Sequence, residues 1–457
     1  MTFANRILKQ HPATLVLISF LSAILVGALL LKIPPATKTG YIPLIDAIFT
    51  ATSAVCVTGL VVVDTGSYFT VFGQCIILIL IQIGGLGVMT ISVTMFQWIG
   101  KSISFRQRMA MQDMFAHTPR KDIFQVIKSI VFVTIGAEAV GAALLTIRFC
   151  RDLPFPQAVY KGIFHSVSAF CNAGFALFPD SMMSYGNDII LNVTICGLIV
   201  IGGIGFSVLY DLQCWVRYNK QKRCKLSIQT KTVLLTTLIL ILSGAFLFAF
   251  IEDSARGSGG QSLSYRIMAP IFQSITCRTA GFNTVDIASL KDATLAMMIF
   301  LMFFGASPGS CGGGVKTTTL ALMTVFAVSR VRRKRRVNLF KKSVPAETVT
   351  KSVSLILISI TIIGLVLFFL LAGDSISNYR GINQGGAFLP YLFETVSAFG
   401  TVGLSMGITA TLSVWGKCWI IFTMIIGRVG ILTFSYIIIG SGSTNGIEYA
   451  EENMMIG

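Results

Sequence analysis

Phe49-Thr-Ala-Thr-Ser-Ala-Val-Cys-Val-Thr-Gly59-Leu60 is moderately apolar, too short to cross a bilayer, and closes in a small-residue turn with glycine. The same order returns as Phe164-His-Ser-Val-Ser-Ala-Phe-Cys-Asn-Ala-Gly174-Phe175. It returns again as Phe272-Gln-Ser-Ile-Thr-Cys-Arg-Thr-Ala-Gly281-Phe282 and as Phe393-Glu-Thr-Val-Ser-Ala-Phe-Gly-Thr-Val-Gly403-Leu404. One such stretch would carry no information. Four in register, each between two long apolar runs, mark an internal duplication.

The four glycines are 115, 107 and 122 residues apart. Phe precedes Gly by ten residues in three of the stretches and by nine in the third. The apolar run after the first, second and fourth turns carries a second recurrence: Ile83-Gly84-Gly85-Leu86-Gly87, Ile201-Gly202-Gly203-Ile204-Gly205 and Ile426-Gly427-Arg428-Val429-Gly430. Small residues in apolar helices let backbones approach closely, and helix packing accounts for most of these glycines.

A helix needs about 20 mostly apolar residues to span a bilayer. Eight segments meet that demand: 13–33, 71–99, 126–149, 189–215, 232–251, 294–329, 352–372 and 416–440. The composition agrees, with 54% apolar and only 12% charged residues in 457. The predicted fold is an all-α membrane protein of eight transmembrane helices. They form four helix–pore loop–helix repeats around a pseudo-fourfold central pore. The repeats fall at 1–100, 101–217, 218–342 (with a broken second helix) and 343–457, the last including a cytoplasmic C-terminal tail.

The net charge of +17 belongs to the links between apolar runs and not to a nucleic-acid-binding module. Lys101, Arg106, Arg108, Arg120 and Lys121 occupy one link. Arg217, Lys220, Lys222, Arg223 and Lys225 occupy a second, and Arg330, Arg332–Arg333, Lys334, Arg335–Arg336 and Lys341–Lys342 a third. Cationic flanks resist translocation, so these links and the N-terminus with Arg6 and Lys9 are expected in the cytoplasm. Links with Asp64, Asp180, Asp188, Glu252, Asp253 and Asp374 are expected outside. The even span number returns the C-terminus to the cytoplasm. The N-terminal run lacks a small-residue cleavage site before Lys32, so it reads as a span and not as a removable signal. The run from Arg330 to Lys342 anchors topology and suits anionic membrane lipid.

Ten cysteines form no CxxC pair, and Cys75, Cys196 and Cys418 sit inside apolar runs as small apolar residues. The three histidines are scattered, so neither a metal centre nor a catalytic cluster is indicated. No phosphate-binding or dinucleotide motif is present either.

Irregular backbone survives at membrane depth only inside protein or along a water-filled cavity. Four re-entrant turns therefore call for one shared cavity. Main-chain carbonyls ringed around it can replace a cation's hydration shell. The predicted filter comprises Cys56, Val57, Thr58, Gly59; Cys171, Asn172, Ala173, Gly174; Arg278, Thr279, Ala280, Gly281; and Gly400, Thr401, Val402, Gly403. No carboxylate occurs in the turns, which points to a weakly hydrated monovalent cation. The Arg278 side chain is expected to point behind the filter, since a cation in the path repels the ion.

These turns resemble the superfamily of K⁺ transporters that includes the Trk, Ktr and plant HKT proteins, and within it the KtrB-type membrane subunit of bacterial Ktr systems. The resemblance covers about residues 13 to 440. It implies K⁺ translocation across the bacterial plasma membrane, with K⁺ held at the filter residues and Na⁺ as a coupling or activating ion. Glycine in all four turns accompanies K⁺ selectivity in the family, and serine in the first accompanies Na⁺ transport. The turns do not spell TVGYG, which implies a looser filter than that of a tetrameric K⁺ channel. The resemblance also implies a homodimer seated on a cytosolic, nucleotide-binding RCK-type (KtrA-like) ring. Links 100–125, 216–231 and 330–350 and the C-terminal tail are the available docking surfaces.

The sixth span contains Gly305, Ala306, Ser307, Pro308, Gly309, Ser310, Cys311, Gly312, Gly313 and Gly314, with Lys316 near its end. Glycine and proline cost about 1 and 3 kcal/mol against alanine in a helix. Such a run is either a bend held by neighbours or a mobile loop below the filter, and the resemblance implies a loop that obstructs the pore. Arg428 falls mid-span, where a charge needs a cavity or a partner. It either pairs with Glu138, also mid-span, or sits beneath the filter holding the 305–316 loop, the part an arginine plays in the family. Alternatives are an Na⁺-conducting or poorly selective member of the family, an ion-coupled secondary transporter with a midplane site, and a membrane enzyme.

Overall fold

The computed structural model describes residues 12–87, 123–218, 226–256, 262–334, 336–377 and 388–430. The cationic links at 101–121 and 220–225, Arg6, Lys9, the C-terminal tail, and the distal parts of the predicted spans 71–99 and 416–440 lie outside the described residues.

Helices carry the fold. They are α1 (Pro12–Leu31), α2 (Leu44–Val55), α3 (Val71–Leu86), α4 (Ile123–Phe149), α5 (Phe155–Phe170), α6 (Ile189–Ile204) and α7 (Phe206–Tyr218). Then come α8 (Ile228–Arg256), α9 (Leu263–Thr276), α10 (Asp292–Phe303), α11 (Thr317–Val331), α12 (Ala346–Ser377), α13 (Phe388–Gly400) and α14 (Val414–Val429). Among the described residues the one sheet is a two-stranded hairpin between α11 and α12.

Burial is inverted relative to a water-soluble domain. Phe132, Ile135, Val140 and Ile147 stand exposed along α4, and Leu238, Leu242, Phe246 and Phe250 along α8. Threonine and serine at 50, 52, 53, 166, 168, 276, 395 and 397 are buried instead. Large apolar stripes outside and hydroxyls inside suit a chain whose solvent is hydrocarbon. Lys128–Phe149, Ile228–Glu252 and Ala346–Gly373 are each long and apolar enough to cross a membrane.

Helices α2, α5, α9 and α13 are the four short segments of the recurring stretch. Their phenylalanines 49, 164, 272 and 393 are at most 1% exposed and anchor each segment in the core. A longer helix backs each: α1 on α2, α4 on α5, α8 on α9 and α12 on α13. The following helix then packs on the short helix of the next unit: α3 on α5, α6 on α9, α10 on α13, and finally α14 on α2. The last contact closes the circle.

The helices that line this circle are shorter than sequence hydropathy suggests. The predicted span 189–215 is not one straight helix: it breaks at Gly205 and bends by 98° into α7. Gly205 has φ of 103°, a region nearly closed to residues with a Cβ. The same break ends α3 at Gly87 and α14 at Gly430, with φ of 81° and 93°. The last glycine of each recurring motif is therefore a helix terminator. Its first glycine is the packing residue expected: Cβ atoms built at 84, 202 and 427 would strike the carbonyls of Val55, Phe170 and Phe399.

Candidate ion pore

Each short helix runs directly into its turn through the same backbone path. Thr58, Ala173 and Val402 N–H groups donate to the carbonyls of Ser53, Ser168 and Ser397 at 2.8, 2.7 and 2.8 Å. This is the six-to-one closure of a helix C-terminus. In the third turn Ala280 donates to Thr276 at 3.0 Å, one residue tighter. That shortening is why Phe272 stands nine residues before its glycine and not ten.

The residue two before each glycine is left-handed: Val57, Asn172, Thr279 and Thr401 have φ of 56°, 58°, 72° and 49°. Glycine usually fills this position. Three of the four are β-branched, for which it is a strained conformation costing on the order of 1–3 kcal/mol. Such strain persists only where the surroundings over-determine it.

Hydroxyls supply part of that support. Gly59 and Gly403 N–H groups donate to Ser53 and Ser397 Oγ, each at 3.1 Å. Ser168 Oγ donates to the Phe175 carbonyl at 2.8 Å, and Thr276 Oγ1 to the Phe282 carbonyl at 2.6 Å. Sequence reasoning missed these four. Their signal was a hydroxyl recurring six residues before glycine, five in the shortened turn.

The structure brings the four glycines into one ring. A Cβ built on Gly59 would stand 2.5 Å from the Ala173 carbonyl oxygen, and one on Gly174 would stand 3.0 Å from that of Ala280. One on Gly281 would stand 2.6 Å from that of Val402, and one on Gly403 would strike that of Thr58. Each glycine thus faces the carbonyl preceding the next glycine, around the full circle. Only a hydrogen leaves room for that approach. The C-terminal ends of α2, α5, α9 and α13 lead into this ring, each carrying roughly half a negative charge from the helix dipole. No carboxylate occurs in the four turns themselves.

Arg278 points away from the ring. Its guanidinium donates to Thr237 Oγ1 on α8 at 3.2 Å and borders a cavity of about 10 Å³ beside Ile199 and Ile275.

Residues 305–316 form a loop against the underside of two turns. Gly313 N–H donates to Thr401 Oγ1 at 2.8 Å, and a Cβ on Gly312 would meet Thr279 Oγ1. Ser307 and Cys311 N–H groups donate to Gly203 and Gly202 carbonyls at 3.2 and 3.3 Å, and Gly314 N–H to the Gly427 carbonyl at 3.2 Å. Phe206 N–H, at the elbow of α6 and α7, donates to the Gly309 carbonyl at 2.8 Å. Within the loop Ser310 Oγ donates to the Ser307 carbonyl at 2.7 Å, and Lys316 Nζ to the carbonyls of Gly312 and Gly313 at 2.8 and 3.3 Å. Gly305 abuts the Thr279 side chain, and Ala306 accepts from Thr317 N–H at 3.3 Å. Pro308 lies against Gly205.

Arg428 reaches across this assembly. One of its terminal nitrogens donates to the Cys311 carbonyl and the other to the Gly84 carbonyl. The alternative pairing with Glu138 does not form. Glu138 instead accepts from Gln82 Nε2 at 3.3 Å and lies 3.9 Å from Cys171 Sγ, behind the second turn. Arg428 and Lys316 are only partly buried, so both border open space at the loop.

A chain of this kind, almost entirely helical and inverted in burial, with four turns closing a ring, is a helical membrane protein. The TrkH family profile, described as a cation transport protein, matches residues 11–439. "Ktr system potassium uptake protein B" of Vibrio alginolyticus is 39% identical over 98% of this chain and 96% of its own length. The protein of the same description from Bacillus subtilis is 38% identical over 98% and 97%. "Potassium/sodium uptake protein NtpJ" of Enterococcus hirae is 33% identical over 98% of both. The crystal structure of the potassium transporter TrkH from Vibrio parahaemolyticus superposes with a TM-score of 0.70, covering 94% of this chain and 84% of that one at 18% identity. The chain belongs to the TrkH family of cation transport proteins, and it is a multi-pass membrane protein.

Proposed function

We propose that this protein carries K⁺ across the plasma membrane through the ring of four turns, whose main-chain carbonyls form the filter. The observation that carries this reading is the closed circle in which each glycine abuts the carbonyl before the next. Carbonyl rings replace the water around a weakly hydrated ion, and four helix C-termini lower its electrostatic cost there. The relatives described as potassium uptake proteins, similar over nearly the whole chain, support K⁺ as the ion. One relative described as a potassium/sodium uptake protein supports Na⁺ as a coupling or activating ion.

The loop 305–316, with Lys316 and Arg428, acts as the gate. Its hydrogen bonds to the fourth turn and to three helix ends, with its packing against Thr279 of the third turn, hold it under the filter, and two positive charges there raise a barrier to cations. Four units with boundaries at 1–100, 101–217, 218–342 and 343–457 fit the circular packing, with both termini cytoplasmic. A homodimer governed by a cytosolic RCK-type ring accounts for regulation, since the relatives are described as parts of a Ktr system.

Uptake of radiolabelled Rb⁺ into liposomes containing the purified protein tests the reading. K⁺ outside should compete strongly and Na⁺ weakly. Equal competition by both would make this a poorly selective monovalent cation pathway, and absence of flux with every gate variant would remove the pore reading.

A further inference from the structure

The basic run after α11 encloses a cleft that the ion path does not use. The chain there forms a hairpin, β1 (Asn338–Leu339) antiparallel to β2 (Lys342–Ser343). Val344 N–H donates back to the Val337 carbonyl at 2.9 Å and draws the hairpin base together. Val337 and Val349 are buried with Leu322, and Val325, Phe326 and Val344 pack against them. Beside this apolar floor opens a cleft of about 650 Å³, bordered by Phe326, Arg330, Arg336, Val349 and Val353. The Arg330 guanidinium lies 5.2 Å over the Phe326 ring, which positions its charge at the cleft wall.

The charge there is one-sided. Residues 326–353 contain nine basic side chains and one acid, Glu347. Glu347 is occupied by Lys351 at 2.6 Å, so Arg330 and Arg336 face the cleft without a neutralising carboxylate from this segment.

We propose that this cleft binds one anionic phospholipid. Its phosphate lies between Arg330 and Arg336, and its acyl chain starts along Phe326, Val349 and Val353. Two features of the cleft select a lipid over a free anion. A phosphate alone satisfies the arginines and leaves the partly exposed Phe326 and Val353 wet, whereas a phospholipid covers both. The apolar stretch of α12, Ala346–Gly373, also begins at the cleft, so its mouth meets the edge of the hydrocarbon layer. Guanidinium is the cation best matched to phosphate oxygens because it donates through two parallel N–H groups.

The test titrates the detergent-solubilised full chain with dioctanoyl phosphatidylglycerol and reads the heat of binding. Arg330→Gln with Arg336→Gln should weaken binding by about tenfold or more. A control pair, Arg332→Gln with Lys341→Gln, removes the same charge away from the cleft and should change it by less than about twofold. Dioctanoyl phosphatidylcholine and inorganic phosphate should fail to displace the anionic lipid. Equal loss in both pairs would reduce the effect to general surface charge and overturn the site. Displacement by phosphate as effective as that by the lipid itself would overturn the acyl contacts. All four residues are exposed, and equal Rb⁺ flux in both pairs confirms that each variant is folded.

Discussion

Arg428 and Cys311 are 117 residues apart and share a hydrogen bond in which the guanidinium donates to the main-chain carbonyl. A second bond from the same side chain reaches the Gly84 carbonyl at the end of α3. One planar cation therefore ties the 305–316 loop to the helix following the first turn. Charge-assisted bonds of this kind are roughly twice as strong as neutral ones.

Removing the tie should free the loop. Arg428→Ala is expected to raise Rb⁺ flux about tenfold, the change that follows from lowering a barrier by about 1.4 kcal/mol. Arg428→Lys keeps the charge and cannot span both carbonyls, so its flux should fall between the two. Unchanged flux in Arg428→Ala, measured at equal protein density in liposomes, would remove the gating role.

Deletion of residues 309–314 should raise flux in the same way. Combined with Arg428→Ala it should raise flux by less than the product of the two separate effects, because both remove the tie between the arginine and the loop and only the charge of Arg428 acts separately. Additive effects in the double variant would mean that the arginine acts on the ion alone and not through the loop.

Gly59→Ser introduces atoms where the Ala173 carbonyl oxygen stands 2.5 Å from a built Cβ. The ring must open on that side and hold K⁺ less closely. Na⁺ should then compete with Rb⁺ uptake far more effectively than in the parent. Retained K⁺ preference would separate Gly59 from selection.

Gly205→Ala tests the elbow between α6 and α7. Its φ of 103° disfavours any Cβ, and a built one lies 2.5 Å from the Pro308 carbonyl oxygen. A loss of about 1–2 kcal/mol or more is expected. A lower midpoint of thermal unfolding in detergent reads it directly, whereas an unshifted midpoint would show that the loop yields freely at Pro308.

Much of this arrangement was legible because the chain states it four times. Gly59, Gly174, Gly281 and Gly403 stood out by register, and the broken sixth span by its glycines and Pro308. Arg428 stood out as a charge within an apolar run. The bend at Gly205 was hidden because a glycine that packs and a glycine that ends a helix look alike in an apolar sequence. What separates them is φ, fixed here by the Pro308 and Gly309 carbonyls from a segment about a hundred residues away. Ser53, Ser168, Thr276 and Ser397 were hidden for a related reason. A hydroxyl in a membrane segment ordinarily bonds its own helix, and only the folded turn reveals that these four reach the glycine or the residue after it. The choice between Glu138 and the loop as partner for Arg428 also needed three dimensions, since both are distant in sequence and both fall at mid-span.

The ring itself is open to one decisive measurement. Crystals of the protein soaked in Rb⁺ or Tl⁺ should give anomalous scattering from the bound ion at the X-ray absorption edge. A peak on the axis shared by the carbonyls of Thr58, Ala173, Ala280 and Val402 is the predicted result. A dry axis, with the ion lodged elsewhere in the molecule, would contradict the claim that these four turns strip water from a passing cation.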